Sequence, residues 1–150
     1  MSKKIRIAVV DRFPIMRDGI VQVLQREGDM EVVATGATAH EAAIVARELK
    51  PDILILDVAI PGDGITAIRT IGEMAEGPKI IVLSLVDKRE TVAAAMNVGA
   101  RGYILKGVSG PELVRGVRLV HEGQIYLSRD LNNRPIPKKN ATFDSTCKCL

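Results

Sequence analysis

The chain has 150 residues, of which 47% are hydrophobic and 26% charged, a balance typical of a soluble globular protein with one core. No run approaches the length of a transmembrane helix, and Asp11 interrupts the first apolar run, which argues against a signal peptide. The net charge of +3 comes from residues 129–150, so the remaining neutral chain offers no electrostatic case for binding nucleic acid. We therefore expect a cytoplasmic protein that contacts neither membrane nor nucleic acid.

Short runs rich in Ile, Val and Leu alternate with segments of helical periodicity. In chain order we predict strand Ile5–Val10, helix Ile15–Arg26, strand Glu31–Thr35, helix His40–Leu49, strand Ile53–Leu56, helix Ile65–Met74, strand Lys79–Leu83, helix Arg89–Val98, strand Gly102–Leu105 and helix Pro111–His121. Strands that alternate with helices indicate a parallel sheet covered by helices on both faces. The continuous apolar runs at 53–56 and 80–83 are typical of central strands.

Local signals support the helix boundaries. Pro14 suits the first turn of a helix, because the backbone N–H that it lacks would have no partner there. Thr38 and Ser109 are each followed three residues later by a glutamate, which is the pattern of a capping box. Gly99 and Gly123 are expected to end helices in the left-handed conformation.

The periodic pattern stops after Ser128. Residues 129–150 contain two prolines and two adjacent lysines and show no amphipathic period. We therefore predict one domain over residues 1–128 and a basic, disordered tail over residues 129–150. Cys147 and Cys149 are expected to be exposed thiols, because one intervening residue suits neither a metal site nor a mutual disulfide.

Polar side chains follow four of the predicted strands. Asp11, Asp57, Ser84 and Lys106 each stand directly after the last apolar residue of a strand. Ligands of an open parallel sheet bind at the carboxyl ends of its strands, so these side chains are expected to meet at one edge. Two carboxylates suit a hard divalent cation, while a hydroxyl and an ammonium suit phosphate oxygens. This edge is therefore suited to a phosphoryl group beside a metal ion, with one carboxylate as the acceptor.

Several strings in this order carry a family resemblance. They are IRIAVVD at 5–11, PDILILD at 51–57 with PGDG at 61–64, GARGYILK at 99–106, and ELV at 112–114 with EGQIYLS at 122–128. Residues 5–128 thus resemble the receiver domain of two-component response regulators, in the NarL–FixJ-like subfamily that usually carries a LuxR-type helix-turn-helix. The resemblance implies an α/β, flavodoxin-like, doubly wound sheet of five parallel strands in the order 2-1-3-4-5, with helices on both faces.

The resemblance also implies the roles of the acidic residues. Asp57 would be the phosphoacceptor, and its phosphate would come from a phosphohistidine on a histidine kinase or phosphotransfer protein. Asp11, Asp57 and the backbone carbonyl of Ala59 would hold Mg²⁺. The protein would then be a signalling switch and not an enzyme, with no reaction beyond its own phosphorylation and dephosphorylation.

The remaining site residues would read the phosphate. Lys106 would pair with the phosphoryl oxygens, Ser84 would hydrogen-bond to the phosphate, and Tyr103 would turn inward behind it. The resemblance further implies a homodimer and, for the parent family, transcription regulation. An output domain of roughly 60 residues does not fit into the 22 after Ser128, so DNA binding is not expected through this chain.

The sequence departs from the family pattern at two places. Arg12 stands where a second acid is usual, which predicts weak Mg²⁺ binding and slow phosphoryl transfer; its side chain would either pair with Asp57 or point to solvent. The loop Pro61-Gly62-Asp63-Gly64 is one residue short, which either tightens the loop or is absorbed by its glycines.

These departures leave a second function open. Because of Arg12, the chain is alternatively an atypical pseudo-receiver, an interaction or dimerisation module that works without phosphate. A flavodoxin-like cofactor enzyme is disfavoured, because no Gly-rich phosphate loop follows the first strand and the chain has only two Phe, two Tyr and no Trp to stack on a flavin.

Overall fold

Strands and helices alternate along residues 3–132, the part of the chain that the computed structural model describes. The elements are β1 (Ile5–Val10), α1 (Pro14–Gln25), β2 (Met30–Gly36), α2 (Ala39–Leu49), β3 (Ile53–Leu56), α3 (Gly64–Gly72), β4 (Lys79–Ser84), α4 (Arg89–Asn97), β5 (Gly102–Leu105), α5 (Gly110–His121), β6 (Tyr126–Leu127) and α6 (Arg129–Asn132). Every element predicted from the sequence is present, with ends that differ by at most two residues.

The strands form one parallel sheet in the order β2-β1-β3-β4-β5-β6. The predicted order 2-1-3-4-5 is confirmed, but the prediction of five strands is one short. Tyr126–Leu127 pair with Gly102 and Tyr103 of β5. A two-residue strand has no periodicity to detect, and it forms here because the outer edge of β5 offers backbone groups that need partners.

The core lies in two layers, one on each face of the sheet. One face is covered by α2, α3 and α4, and the other by α1 and α5. Side chains of β3 alternate between the layers and all four are buried, as the continuous apolar run predicted. The carboxyl edge of the sheet is thus held from both sides.

In both predicted capping boxes, the hydroxyl of the cap residue accepts the expected backbone hydrogen bond. The Thr38 hydroxyl accepts a hydrogen bond from the Glu41 N–H at 3.1 Å, and the Ser109 hydroxyl accepts one from the Glu112 N–H at 3.2 Å. The Glu41 carboxylate binds the N–H of Ala37 at 2.7 Å, one residue before the cap. Two helices are thereby fixed at their amino ends.

Ordered structure extends beyond residue 128. Arg129–Asn132, which the sequence assigned to the tail, form a short helix, and Leu131 is 3% exposed in the same core cluster as Tyr103. A single apolar residue buried in the core is enough to hold this turn. One such residue produces no periodic pattern in the sequence. Residues 133–150, including Cys147 and Cys149, lie outside the described residues. Between residues 3 and 132, no helix has the length and hydropathy that a membrane span requires.

Candidate functional site

Three charged side chains meet at the carboxyl edge of the sheet. The Nζ atom of Lys106 lies 2.7 Å from Oδ2 of Asp11 and 2.6 Å from Oδ2 of Asp57. All three side chains are at most 6% exposed, so the ion pairs are shielded from water. Two carboxylates and one ammonium leave the cluster with a net charge of −1, which an added cation would neutralise.

Local turns aim the two carboxylates. Oδ1 of Asp11 accepts a hydrogen bond from the N–H of Phe13 at 2.9 Å, and Oδ1 of Asp57 accepts one from the N–H of Ala59 at 2.9 Å. In each case the side chain binds the backbone two residues later, which is an Asx turn. This arrangement leaves both Oδ2 atoms free to share one cation.

Lys106 is held as a cation by this environment. Burial alone would lower its pKa, but the hydrogen bonds from Nζ to Asp11 and Asp57 outweigh burial and raise the pKa above the ordinary value. The backbone places the side chain, since the N–H of Lys106 donates to the carbonyl of Ser84 at 2.9 Å. Lys106 therefore remains charged at any physiological pH.

Ser84 and Tyr103 lie behind the charged cluster and are both fully buried. The Tyr103 hydroxyl donates to the carbonyl of Val86 at 2.6 Å, and the Ser84 hydroxyl accepts from the N–H of Val86 at 3.1 Å. Burial raises the pKa of Tyr103 to about 12, a hydrogen bond with Ser84 opposes the rise, and the negative charge of Asp57 adds to it. The side chain of Tyr103 is therefore turned inward, and its response to a phosphate at Asp57 stays a prediction.

Arg12 points away from the cluster. Its side chain is exposed, and its guanidinium carbon lies 4.6 Å from the centre of the Phe13 ring. The alternative in which Arg12 pairs with Asp57 is not observed, because Lys106 binds that carboxylate instead. The turn from Asp11 to Phe13 places residue 12 at its corner, and the corner of this turn faces solvent.

Two successive residues of the loop after Asp57 have positive φ angles. Gly62 and Asp63 have φ angles of 95° and 72°, so a non-glycine residue adopts a left-handed backbone here. The Asp63 side chain compensates by accepting from the N–H of Ile65 at 3.1 Å and the hydroxyl of Thr66 at 2.7 Å. The Thr66 hydrogen bond lowers the pKa of Asp63. A Cβ on Gly64 would lie 2.5 Å from the backbone of Val58.

The site offers only a few protein groups that could bind a metal ion. Among the described residues no three Asp, Glu, His or Cys side chains cluster. Asp11 and Asp57 would supply carboxylates, and the exposed residue Ala59 would supply its backbone carbonyl. Mg²⁺ is commonly held by one or two carboxylates while it keeps several waters, so these residues fit the ion.

Two residues that support the site were missed from the sequence. Nη1 of Arg17 donates to the carbonyl of Asp11 at 2.7 Å and fixes the turn that carries the carboxylate. The Ser128 hydroxyl accepts from the N–H of Leu105 at 2.9 Å, next to Lys106. Arg17 belongs to no pattern that we recognised, and Ser128 was noted only as the end of a family string; neither contact was predicted, because each reaches a backbone group on another segment.

A doubly wound parallel sheet with a buried Asp–Asp–Lys cluster at its carboxyl edge, backed by Ser84 and Tyr103, defines the phosphoacceptor class of signalling domains. The family model of the response regulator receiver domain matches residues 7–118. The chain belongs to this family, as a receiver domain of the NarL and NreC type.

Named relatives extend this assignment. Over 128 residues the chain is 36% identical to the oxygen regulatory protein NreC of Staphylococcus epidermidis, an alignment that covers 84% of this chain and 59% of that protein. The chain therefore spans little more than half the length of such relatives.

Solved structures agree with the fold. A LuxR-family two-component response regulator from Aurantimonas sp. SI85-9A1 shares 32% identity at a TM-score of 0.83, over 87% of this chain and 94% of that one. The signal receiver domain of the response regulator NarL from Mycobacterium tuberculosis shares 29% identity at a TM-score of 0.78, over 82% of this chain and 100% of that one.

Proposed function

We propose that Asp57 is the phosphoacceptor of this receiver domain and that its phosphoryl group comes from the phosphohistidine of a histidine kinase or phosphotransfer protein. The observation that carries the proposal is the position of Lys106, whose ammonium bridges Asp11 and Asp57 in a buried pocket. A carboxylate oxygen of Asp57 attacks phosphorus, the bond from phosphorus to the histidine nitrogen breaks, and an acyl phosphate remains.

The chain's own residues would stabilise the transferred charge. The ammonium of Lys106 pairs with phosphoryl oxygens while it remains close to Asp11, and the hydroxyl of Ser84 donates to the phosphate. Asp11, Asp57 and the carbonyl of Ala59 would hold Mg²⁺, which supplies neutralisation of the phosphoryl oxygens when bound. With Arg12 in place of a second acid, the site has one anionic ligand fewer, so weak binding of Mg²⁺ is expected.

The switch follows from the added charge. A phosphoryl group brings roughly −1.5 to −2 charges into a cluster that is already negative. Ser84 and Tyr103 both contact Val86, in the segment between β4 and α4. A hydroxyl of Ser84 that turns to the phosphate would release the N–H of Val86 and so reposition this segment. The rearranged surface would be read by a partner.

The proposal extends to the location and the partners of the protein. The protein would act in the cytoplasm with a histidine kinase, and as a homodimer. Regulation of transcription is proposed only through the parent family, because the chain spans 59% of the NreC relative.

A second candidate is favoured by one observation. Arg12 removes an anionic ligand at the metal position, which is compatible with a pseudo-receiver that mediates protein interaction or dimerisation without phosphate. The two candidates share a fold and differ in whether Asp57 reacts.

The two functions are separated by mass spectrometry of the intact protein after incubation with acetyl phosphate and MgCl₂. A receiver gains one phosphate in the wild type and none in Asp57→Asn. A pseudo-receiver gains none in the wild type but gains one in Arg12→Asp, whereas Arg12→Ala tests removal of the cation alone. Absence of an adduct in the wild type would overturn the phosphoacceptor proposal, and an adduct in Arg12→Asp alone would show that Arg12 disables the site.

A further inference from the structure

The chain beyond α5 folds back onto the outer edge of β5. We call residues Tyr126–Leu131 the C-terminal strap. The N–H of Tyr126 donates to the carbonyl of Arg101 at 3.0 Å, and the N–H of Ser128 donates to the carbonyl of Tyr103 at 3.0 Å. The strap therefore continues the hydrogen-bond ladder along the strand that leads to Lys106.

Each end of the strap has its own anchor. The Tyr126 hydroxyl bonds to the Glu112 carboxylate at 3.1 Å, and its ring lies so close to Gly116 that a Cβ there would be 3.0 Å from the ring. At the other end, Leu131 is buried in the core cluster that contains Tyr103. These contacts attach the strap to α5 and to the core.

Ser128 makes a different contact, at the end of β5. It is 1% exposed, and its hydroxyl accepts the N–H of Leu105 at 2.9 Å. Successive backbone groups of a strand point to opposite neighbours, and the N–H of the next residue, Lys106, points to Ser84 on β4. Since β6 ends at Leu127, the N–H of Leu105 has no backbone partner in the strap and depends on this side chain.

We propose that Ser128 is a positioning residue, which holds the end of β5 so that the ammonium of Lys106 stays between Asp11 and Asp57. The tolerance is small, because Nζ must remain within hydrogen-bond distance of two buried carboxylates at once. Without the hydroxyl, the N–H of Leu105 is left unsatisfied at a part-buried position, and the strand end moves to find a partner. The role of Ser128 in reaction rates rests on the proposed function of Asp57.

The test compares Ser128→Val with Ser128→Thr in the full chain. These two side chains have nearly the same shape and differ in the hydroxyl, so their difference isolates the hydrogen bond from the added bulk. The initial rate of phosphate addition is measured with acetyl phosphate and MgCl₂ at several donor concentrations. Val120→Ala is the stability control, since Val120 is buried and contacts Gly102 at the opposite end of β5.

Ser128→Val is expected to lower the maximal rate about tenfold with little change in the donor concentration at half-maximal rate, because Lys106 acts on the transferring group. Ser128→Thr is expected to stay within about twofold of the wild type by the same reasoning, because the hydroxyl is retained. Ser128→Ala repeats the comparison against Val120→Ala if the larger side chains do not fold. Equal rates for the variants with and without the hydroxyl, at matched melting temperatures, would overturn the inference.

A crystal structure of Ser128→Ala gives a readout that needs no phosphate. The inference expects Nζ of Lys106 to have left one of its two carboxylates. If Nζ still bridges Asp11 and Asp57, Ser128 is not a positioning residue. A wild type that forms no adduct refutes the proposed function of Asp57, and the crystal structure then decides the inference alone.

Discussion

At the scale of single residues, the proposed function depends on one ammonium shared by two carboxylates. Lys106 bonds to Asp11 and Asp57 at similar distances, and all three groups are withdrawn from water. Buried charges of this kind are tolerated only as a set, because removing one partner leaves the others uncompensated. The cluster is therefore a stability element as well as a candidate reaction site.

Replacing Lys106 by methionine tests this dependence. Lys106→Met leaves two buried carboxylates facing each other, and we expect the free energy of unfolding in urea to fall by about 3–5 kcal/mol at neutral pH. The double variant Lys106→Met with Asp57→Asn removes one of the negative charges and should recover part of the loss. An unchanged free energy of unfolding in the single variant would mean that the two carboxylates do not depend on Lys106.

At the scale of elements, the loop between β3 and α3 is closed by close backbone approach. Gly64 begins α3 directly against the backbone of Val58, and the left-handed residues Gly62 and Asp63 make the short connection feasible. This loop carries Ala59, whose carbonyl would serve a metal ion. Tight closure would therefore fix the position of this carbonyl.

Gly64→Ala measures how tight the closure is. A Cβ at 2.5 Å from the Val58 backbone forces the loop to shift, and we expect destabilisation by about 1–3 kcal/mol in urea unfolding. Gly19→Ala in α1 is the matched control, since no atom lies within 4 Å of its added Cβ. The control should stabilise the protein by about 0.4–1 kcal/mol, because alanine reduces the freedom of the unfolded chain. Two variants of equal stability would contradict the close approach.

The elements were predictable to the extent that local pattern determines them. Ile53–Leu56 was located without error, because a fully apolar run lies between Pro51 and Asp57. β6 was missed because its two residues are held by the edge of β5, which is a tertiary partner and leaves no local signal. The helical turn at Arg129–Asn132 was assigned to the tail for the same reason, since it depends on burial of Leu131.

The candidate site also has a part that local pattern predicts and a part that it does not. Asp11 and Asp57 were found because each follows a strand directly, at an edge where ligands bind. The ion pair between Lys106 and Asp57 was not predicted from the sequence, which offered Arg12 as a cation for Asp57 and assigned Lys106 to the phosphoryl oxygens. The register of β4 and β5 and the turn after Asp11 decide it in favour of Lys106. Such choices depend on three-dimensional packing of segments that are far apart in the chain.

At the scale of the whole molecule, the buried polar side chains tie its stability to pH in the alkaline range. The pKa of Tyr103 is raised by burial to about 12 and that of Lys106 is raised above 10.5, and in both cases the folded state holds its proton more tightly than the unfolded chain. The stability that these groups contribute is therefore complete below pH 10 and is lost as the pH rises above it.

Urea unfolding at pH 9, 10 and 11 checks this dependence. Each such group should remove roughly 1.4 kcal/mol of unfolding free energy per pH unit once the unfolded form begins to lose its proton. Tyr103→Phe loses the bond to the Val86 carbonyl and should be about 0.5–1.5 kcal/mol less stable at pH 7. The free energy of unfolding of Tyr103→Phe should nevertheless fall less between pH 10 and 11 than that of the wild type. Parallel declines for the two proteins would show that Tyr103 is not responsible.

The strap has a consequence for how the domain should be delimited. The family match ends at residue 118, inside α5 and before Tyr126. A chain cut there would lose the strand that covers β5 and would expose a row of unpaired N–H and C=O groups beside a hydrophobic core. Such an edge is a template on which another copy can add a strand, so the shortened domain should self-associate into aggregates. The strap is thus expected to protect the solubility of the whole sheet.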